Sequence, residues 1–291
     1  MSINKYRTFL KVVELGSLTK AAEALGYTQS GVSHTIISLE KEFGFLLIAR
    51  SRTGIELTSN GEKVLSSIRE ILKWEDHLKQ EIASIHGIES GIVRVGTFTS
   101  VSVHWLPDIL KQFRQDYPKI EIQLFEGDYR EIENWISDNV IECGFLSLPS
   151  KSMIDVIPLH KDPLLILLPH GHPLNRNAPI PLEALREEPF IIQRKGSDDD
   201  IYRVLEHAPF KPRVVFSARD DYAIMAMVEK GLGISILPEL VLRGQHWDIH
   251  KRQLERPTYR TLGIGVHSLE HVSPATKVFL DYVQNRFKTI E

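Results

Sequence analysis

Apolar positions along the first sixty residues fall at helical spacing. Ile3, Tyr6, Phe9, Leu10 and Val13 predict a first helix with one apolar face, ended by Gly16. Ser17 can cap a second helix through Leu18, Ala21, Ala22 and Leu25, after which Gly26 permits a left-handed turn. A third helix is expected from about Gln29, with Val32, Ile36 and Leu39 on one side. Two short helices joined by a glycine turn, with the small Ala22 where they approach, form a helix-turn-helix pattern. Residues 50–58, RSRTGIELT, then read as a strand, a glycine turn and a second strand, a β-wing.

Ser59 and Glu62 have the spacing of a capping box that opens a long helix, running to about His86 before Gly87. Val64, Ile68, Ile71, Leu78, Ile82 and Ile85 make a coiled-coil seam in which Glu75 interrupts one position, and Leu65, Leu72 and Trp74 broaden the apolar surface. From Gly91 the pattern becomes strand–helix alternation. Strands are expected at 92–95, 120–125, 140–146, 154–159, 164–168, 190–192, 214–216, 234–237 and 262–266. Helices are expected at 103–117, 132–139, 199–207, 222–230 and 275–288. Such alternation implies an α/β domain with largely parallel sheets.

Composition narrows the function classes. The 291 residues carry a formal net charge of −3, so any nucleic-acid binding must come from a local surface. Residues 1–58 hold seven Lys or Arg against five Glu, which leaves −5 for the remainder, the sign expected of an N-terminal DNA module. The single cysteine, Cys143, excludes an intramolecular disulfide and a cysteine-based zinc site, and its apolar neighbours Ile141 and Phe145 favour a buried structural thiol. No apolar signal region follows Lys5 and Arg7, and the run 164–168 is far too short to span a bilayer, so a cytoplasmic protein without membrane contact is expected.

In a helix-turn-helix the second helix enters the major groove N-terminus first. Opposite the core stripe of the third helix stand Thr28, Gln29, Ser30, Ser33, His34 and Ile37. Gln bonds adenine bidentately, Ser bonds bases or phosphates, and Ile37 is suited to a thymine methyl. A plain solvated face is the alternative, but the dense fit of small, glycine and apolar positions favours DNA reading. In the wing, Arg50, Arg52 and Thr53 are placed for phosphates or the minor groove.

The segment 18–40, LTKAAEALGYTQSGVSHTIISLE, resembles the helix-turn-helix of LysR-type transcriptional regulators, and the following FGFLLIARSRTGIELTSNGE resembles their wing and linker start. Gly44, Leu47 with Ile48, Arg50, Leu57 with Thr58, and Gly61 carry that pattern. Further along, 91–96, Leu106-Pro107, Pro118, the stretch 231–234 and Leu237-Pro238 match the family's effector domain more loosely, with Glu142 where an Asp is usual. His34, Ile37 and Ser38 stand where relatives often carry basic residues, which implies fewer phosphate contacts and a shallower salt dependence.

The resemblance implies an α/β multidomain chain. Residues 1–58 form a winged helix-turn-helix and 59–87 a linker and dimerisation helix. Residues 91–291 form a two-subdomain α/β effector-binding domain resembling periplasmic binding proteins. Subdomain I covers about 91–161 plus 268–291 and subdomain II about 162–267. The implied partners are double-stranded promoter or operator DNA, a small-molecule effector and the chain itself as homodimer or homotetramer, with RNA polymerase as a further candidate.

In open α/β sheets a ligand sits beyond the carboxyl ends of the strands. The loops that qualify place Thr97, Thr99, Ser100, Val101, Ser102, Asp128, Tyr129, Leu146, Ser147, Gln193, Ser197 and Asp221 around an effector. Hydroxyls and free N–H groups at 97–102 suit an anion, and Gln193, Arg194, Lys195 and Ser197 suit a carboxylate, although the acidic run 198–200 argues against strong anion preference on that side. An anionic metabolite is the expected effector. An enzyme is the main alternative, but there is no phosphate loop, no GxSxG elbow and no HExxH, and Gly231-Leu232-Gly233 lacks a third glycine. His170-Gly171-His172 reads as a surface turn, and neither a metal site nor a cofactor is expected.

Overall fold

The computed structural model describes residues 2–51, 54–150, 152–175, 179–194, 200–244 and 246–288, with the backbone alone for residues 50 and 51. The chain divides into one unit of residues 1–88 with 138–140 and a second of 89–137 with 141–291.

The first unit begins with helices α1 (Ile3–Leu15), α2 (Leu18–Leu25) and α3 (Gln29–Phe43), followed by strands β1 (Ile48–Ser51) and β2 (Gly54–Leu57) and the long helix α4 (Ser59–Ile85). Ser17 Oγ accepts from Lys20 N and opens α2, and Thr28 Oγ1 accepts from Gly31 N and opens α3. Gly26 closes α2 at φ 69°, a left-handed conformation in which a β-carbon is strained, and so turns the chain from α2 into α3. Phe9, Val12, Ala21, Val32, Ile36 and Leu39 share one core with Leu65, Ile68 and Leu72 of α4. The C-terminal half of α3 is tied to the wing because Glu40 Oε1 accepts from Leu47 N at 2.8 Å and from Ile48 N at 3.3 Å.

Two expectations for α4 change. Its N-cap is Thr58, not Ser59: Thr58 Oγ1 accepts from Gly61 N and donates to the Leu46 carbonyl at 2.7 Å, locking the helix start onto the wing. Gly61 is required there, since a β-carbon would lie 2.1 Å from the Leu47 carbonyl oxygen. The apolar seam is also divided. Ile68 is buried in the unit's own core, whereas Ile71, Leu78, Ile82 and Ile85 are exposed. Glu75 is more than an interruption, because it pairs with Arg7 of α1, whose guanidinium also reaches Asp76 at 2.7 Å, and with Lys79 one turn on at 2.7 Å.

The second unit opens with β3 (Gly91–Thr97), α5 (Thr99–His104), α6 (Leu106–Asp116), β4 (Ile120–Glu126), α7 (Tyr129–Ser137) and β5 (Cys143–Leu148). It continues with β6 (Asp155–Pro169), β7 (Pro189–Gln193), α8 (Asp200–Glu206), β8 (Arg213–Ala218) and α9 (Asp221–Glu229). It ends with β9 (Ser235–Pro238), α10 (Glu239–Leu242), β10 (Ile249–Gln253), β11 (Tyr259–Val266) and α11 (Pro274–Lys288). Among the described residues the strands run β10-β6-β11-β5-β3-β4, with β9 also on β6 and β7 paired with β8.

The sheets are mixed rather than largely parallel. β3 lies parallel to β4 and β5, and β7 to β8, but β11 is antiparallel to both β5 and β6, as β9 and β10 are to β6. The strands expected at 154–159 and 164–168 are one strand, β6, because its ladder with β11 continues past Lys161 and Asp162. The single helix expected over 103–117 is broken at Trp105, with Pro107 in the first turn of α6, where its missing N–H costs no bond. Cys143 is buried on β5, and burial pushes its thiol well above the ordinary range, as a structural rather than reactive cysteine requires.

Candidate DNA interface and binding cavity

On α3, Val32, Ile36 and Leu39 face the core, while Gln29, Ser30, His34 and Ile37 are exposed and Ser33 is half-buried. Ile37 is 59% exposed, a cost in apolar surface that nothing within the unit offsets. Thr28 spends its hydroxyl on the helix cap and on Ser30 Oγ at 3.2 Å. Tyr27, in the turn just before α3, is 57% exposed beside this stripe; the helical spacing did not single it out, because it sits outside the helix. Arg50 lies on β1, its side chain outside the described residues together with Arg52 and Thr53.

The second unit holds a cavity of about 430 Å³ lined by Phe98, Thr99, Ser100, Glu126, Gly127, Asp128, Arg219, Asp220, Asp221, Tyr222 and Arg260. It lies where the carboxyl ends of β3 and β4 meet the start of α9 and the strand β11, as the open-sheet rule requires. Of the residues expected from the sequence, Thr99, Ser100, Asp128 and Asp221 line it. Gln193 supports it from behind, donating from Nε2 to the Asp221 carboxylate. Burial raises the Asp221 carboxyl to about 6, against the opposing pull of Arg260 and the Gln193 hydrogen bond.

Other expected residues have other roles. Val101 and Leu146 are fully buried apolar side chains of the core and do not line the cavity. Thr97 and Ser102 bond each other at 3.1 Å. Tyr129 Oη and Ser147 Oγ donate to Asp200, at 3.0 and 2.9 Å. Ser197 lies outside the described residues.

The residue that organises the cavity wall, Arg260, carries no signal in a loop or a motif, since it projects from the middle of the sheet. It is buried, with Nε 2.8 Å and Nη2 2.7 Å from Asp162 Oδ2, and it donates to Tyr129 Oη at 2.7 Å and Ser100 Oγ at 2.9 Å. Its guanidinium also stands over the Phe98 ring, 5.6 Å from the centroid. Arg219 on the rim lies 3.6 Å from Asp128 and 3.4 Å from Glu131. The lining therefore presents four carboxyl groups against two guanidinium groups, and Arg260 is already engaged by Asp162. Among the described residues no group of three or more His, Cys, Asp or Glu is arranged to hold a metal ion, and no helix is long and apolar enough to cross a membrane.

Two family models match the chain. Residues 3–62 match the bacterial regulatory helix-turn-helix protein of the lysR family, and residues 86–288 match the LysR substrate binding domain. A Bacillus subtilis HTH-type transcriptional regulator, YvbU, is 34% identical over 290 residues, covering 99% of each chain. The HTH-type transcriptional activator CmpR from a Synechocystis strain is 30% identical over 97% of this chain and 94% of its own. A full-length OxyR variant from Pseudomonas aeruginosa superposes with a TM-score of 0.82 at 20% identity, covering 99% of this chain and 95% of its own. Full-length CbnR in complex with its target DNA gives 0.67 at 22% identity, over 98% and 99% of the two chains.

Proposed function

The chain belongs to the LysR family of bacterial transcriptional regulators, and on that premise we propose that it reads its operator through the outer face of α3 and is controlled by a small molecule taken into the cavity beside Arg260. As a family member it is a DNA-binding regulator with an effector domain rather than an enzyme. The observation that carries the DNA reading is the exposed stripe Gln29, Ser30, His34 and Ile37, set back to back with the buried Val32, Ile36 and Leu39. Gln29 and Ser30, at the leading end of the helix, supply base and phosphate contacts, and Ile37 supplies an apolar one. CbnR was solved with its target DNA, and the likeness in fold supports the same mode of docking here.

On the effector side, the lining supports an uncharged, hydrogen-bonding molecule over the anion expected from the loops. Glu126, Asp128, Asp220 and Asp221 repel an anion, and Arg260 is balanced by Asp162. The bare side of α4, with Leu78, Ile82 and Ile85 exposed, supports dimerisation through that helix.

The direct test is fluorescence anisotropy with DNA from the region upstream of the chain's own gene, with and without Gln29→Ala. Tight binding that weakens in the variant is expected; absence of binding even at low salt refutes the reading. Calorimetric titration with small organic acids and with neutral polyols then separates the effector charges.

A further inference from the structure

The carboxylate of Asp200 is buried, and each of its oxygens is held from other parts of the fold. Oδ1 accepts from Ser147 Oγ at 2.9 Å and lies 3.1 Å from Arg203 Nη2. Oδ2 accepts from Tyr129 Oη at 3.0 Å and lies 3.8 Å from Arg260 Nη1. Arg260 Nη1 donates to the same phenol oxygen at 2.7 Å, so the hydroxyl passes on the polarisation of the guanidinium. Arg203 is steadied by donating to the Leu148 carbonyl at 2.6 Å. Two hydroxyls and two guanidinium groups converging on one desolvated carboxylate are a complete carboxylate receptor. Its donors come from β5, α7, α8 and β11, whereas the anion comes from the first residue of α8.

We propose that Asp200 is a tethered anion: its side chain fills an anion subsite built by Ser147, Tyr129, Arg203 and Arg260, and thereby clamps α8 onto the carboxyl end of β5 and the start of α7. A site formed for a carboxylate keeps its donors when the carboxylate is removed, and leaving them unpaired is costly. Truncation at Asp200 therefore opens a pocket that takes a small free carboxylate. In the intact chain a free anion reaches these donors only by displacing Asp200, so the chain itself competes against anions for Arg260, the one of the four donors that also lines the cavity. The clamp does not depend on what enters the cavity or on DNA binding, and its test uses neither.

The experiment compares thermal unfolding of the full-length wild type and Asp200→Ala in sodium formate and in sodium chloride of equal ionic strength. Formate has the size of the group removed. At about 100 mM it is expected to raise the midpoint of Asp200→Ala by on the order of 3 °C over chloride, with no such gain in the wild type. The added substitution Ser147→Ala is expected to abolish the gain. Equal shifts in wild type and Asp200→Ala, or no shift in either, overturn the proposal. Should Asp200→Ala not fold on expression, it is refolded from denaturant in each salt. Recovery of soluble protein in formate alone supports the tethered anion, and failure in both salts overturns it.

Discussion

Arg260 and Asp162 meet in the sheet of the second unit with both side chains sealed from solvent, Nε and Nη2 converging on the single oxygen Oδ2 at 2.8 and 2.7 Å. Asp162 Oδ1 is taken by Leu240 N at 2.9 Å, so the carboxylate is satisfied on both sides. Breaking such a pair from one side strands the other charge without water. Arg260→Met is expected to cost about 3–5 kcal/mol. The double variant Arg260→Met/Asp162→Asn is expected to cost clearly less than the two single changes added together. Urea unfolding of the three variants measures this, and strict additivity contradicts it.

Ile37 is an exposed apolar side chain on the stripe assigned to the groove. Replacing it by Ala removes apolar contact without touching the core. Affinity for the cognate operator is expected to fall about fivefold, roughly 1 kcal/mol, with unfolding stability unchanged within about 0.5 kcal/mol. The loss is expected at one base position, where a thymine-to-cytosine change in the DNA has no further effect in the variant. An Ile37→Ala protein that keeps the wild-type preference at every base rules this out.

Burial raises the Asp221 carboxyl from 3.8 to about 6 in the folded chain. Between those values the folded state binds the proton more tightly, so this group's effect on stability turns unfavourable as pH rises from 3.8 and levels off above about 6. Asp221→Asn keeps an oxygen for Gln193 and has no charge to desolvate. Near neutral pH the variant is expected to gain up to about 3 kcal/mol over the wild type, and that gain should vanish below about pH 4. Denaturant unfolding of both proteins across this range shows the difference, and a gap that does not change with pH excludes it.

The proposed dimerisation through α4 rests on its bare stretch. Leu78 is 60% exposed and Ile85 80% exposed, on a helix whose first half is already anchored in its own core. Leu78→Glu/Ile82→Glu is expected to convert the assembly to smaller species in sedimentation analysis. Operator affinity should drop by a factor of about 10² or more, as the avidity of a two-site grip is lost. Thermal unfolding of the winged helix-turn-helix itself should be little affected. An unchanged sedimentation profile places the self-association elsewhere.

The helices of the first unit stand where the apolar spacing placed them, because helix periodicity, the Ser17 and Thr28 caps and the Gly26 turn are interactions over three or four residues. The cap of α4 moved from Ser59 to Thr58 because the wing carbonyl of Leu46 accepts the Thr58 hydroxyl, a contact across twelve positions that spacing does not carry. In the second unit, loops ending β3 and β4 were legible as cavity walls, and Thr99, Ser100 and Asp128 are there. Val101 and Leu146 turned inward instead, since Val101 stands on the buried side of α5 and β5 is buried on both faces at Leu146.

By itself the sequence determined the modular order of this protein, the helix α3 with its outward stripe and the loops that border a cavity, all of which follow from short-range periodicity and turn chemistry. Tertiary structure alone decided the electrostatics of that cavity. Arg260 reaches Ser100 across 160 positions, and Asp200 reaches Ser147 across 53, because β11 is laid antiparallel between β5 and β6 and α8 is packed against the end of β5. Which buried charge meets which is set by strand order, and strand order is settled by the packing of the whole domain.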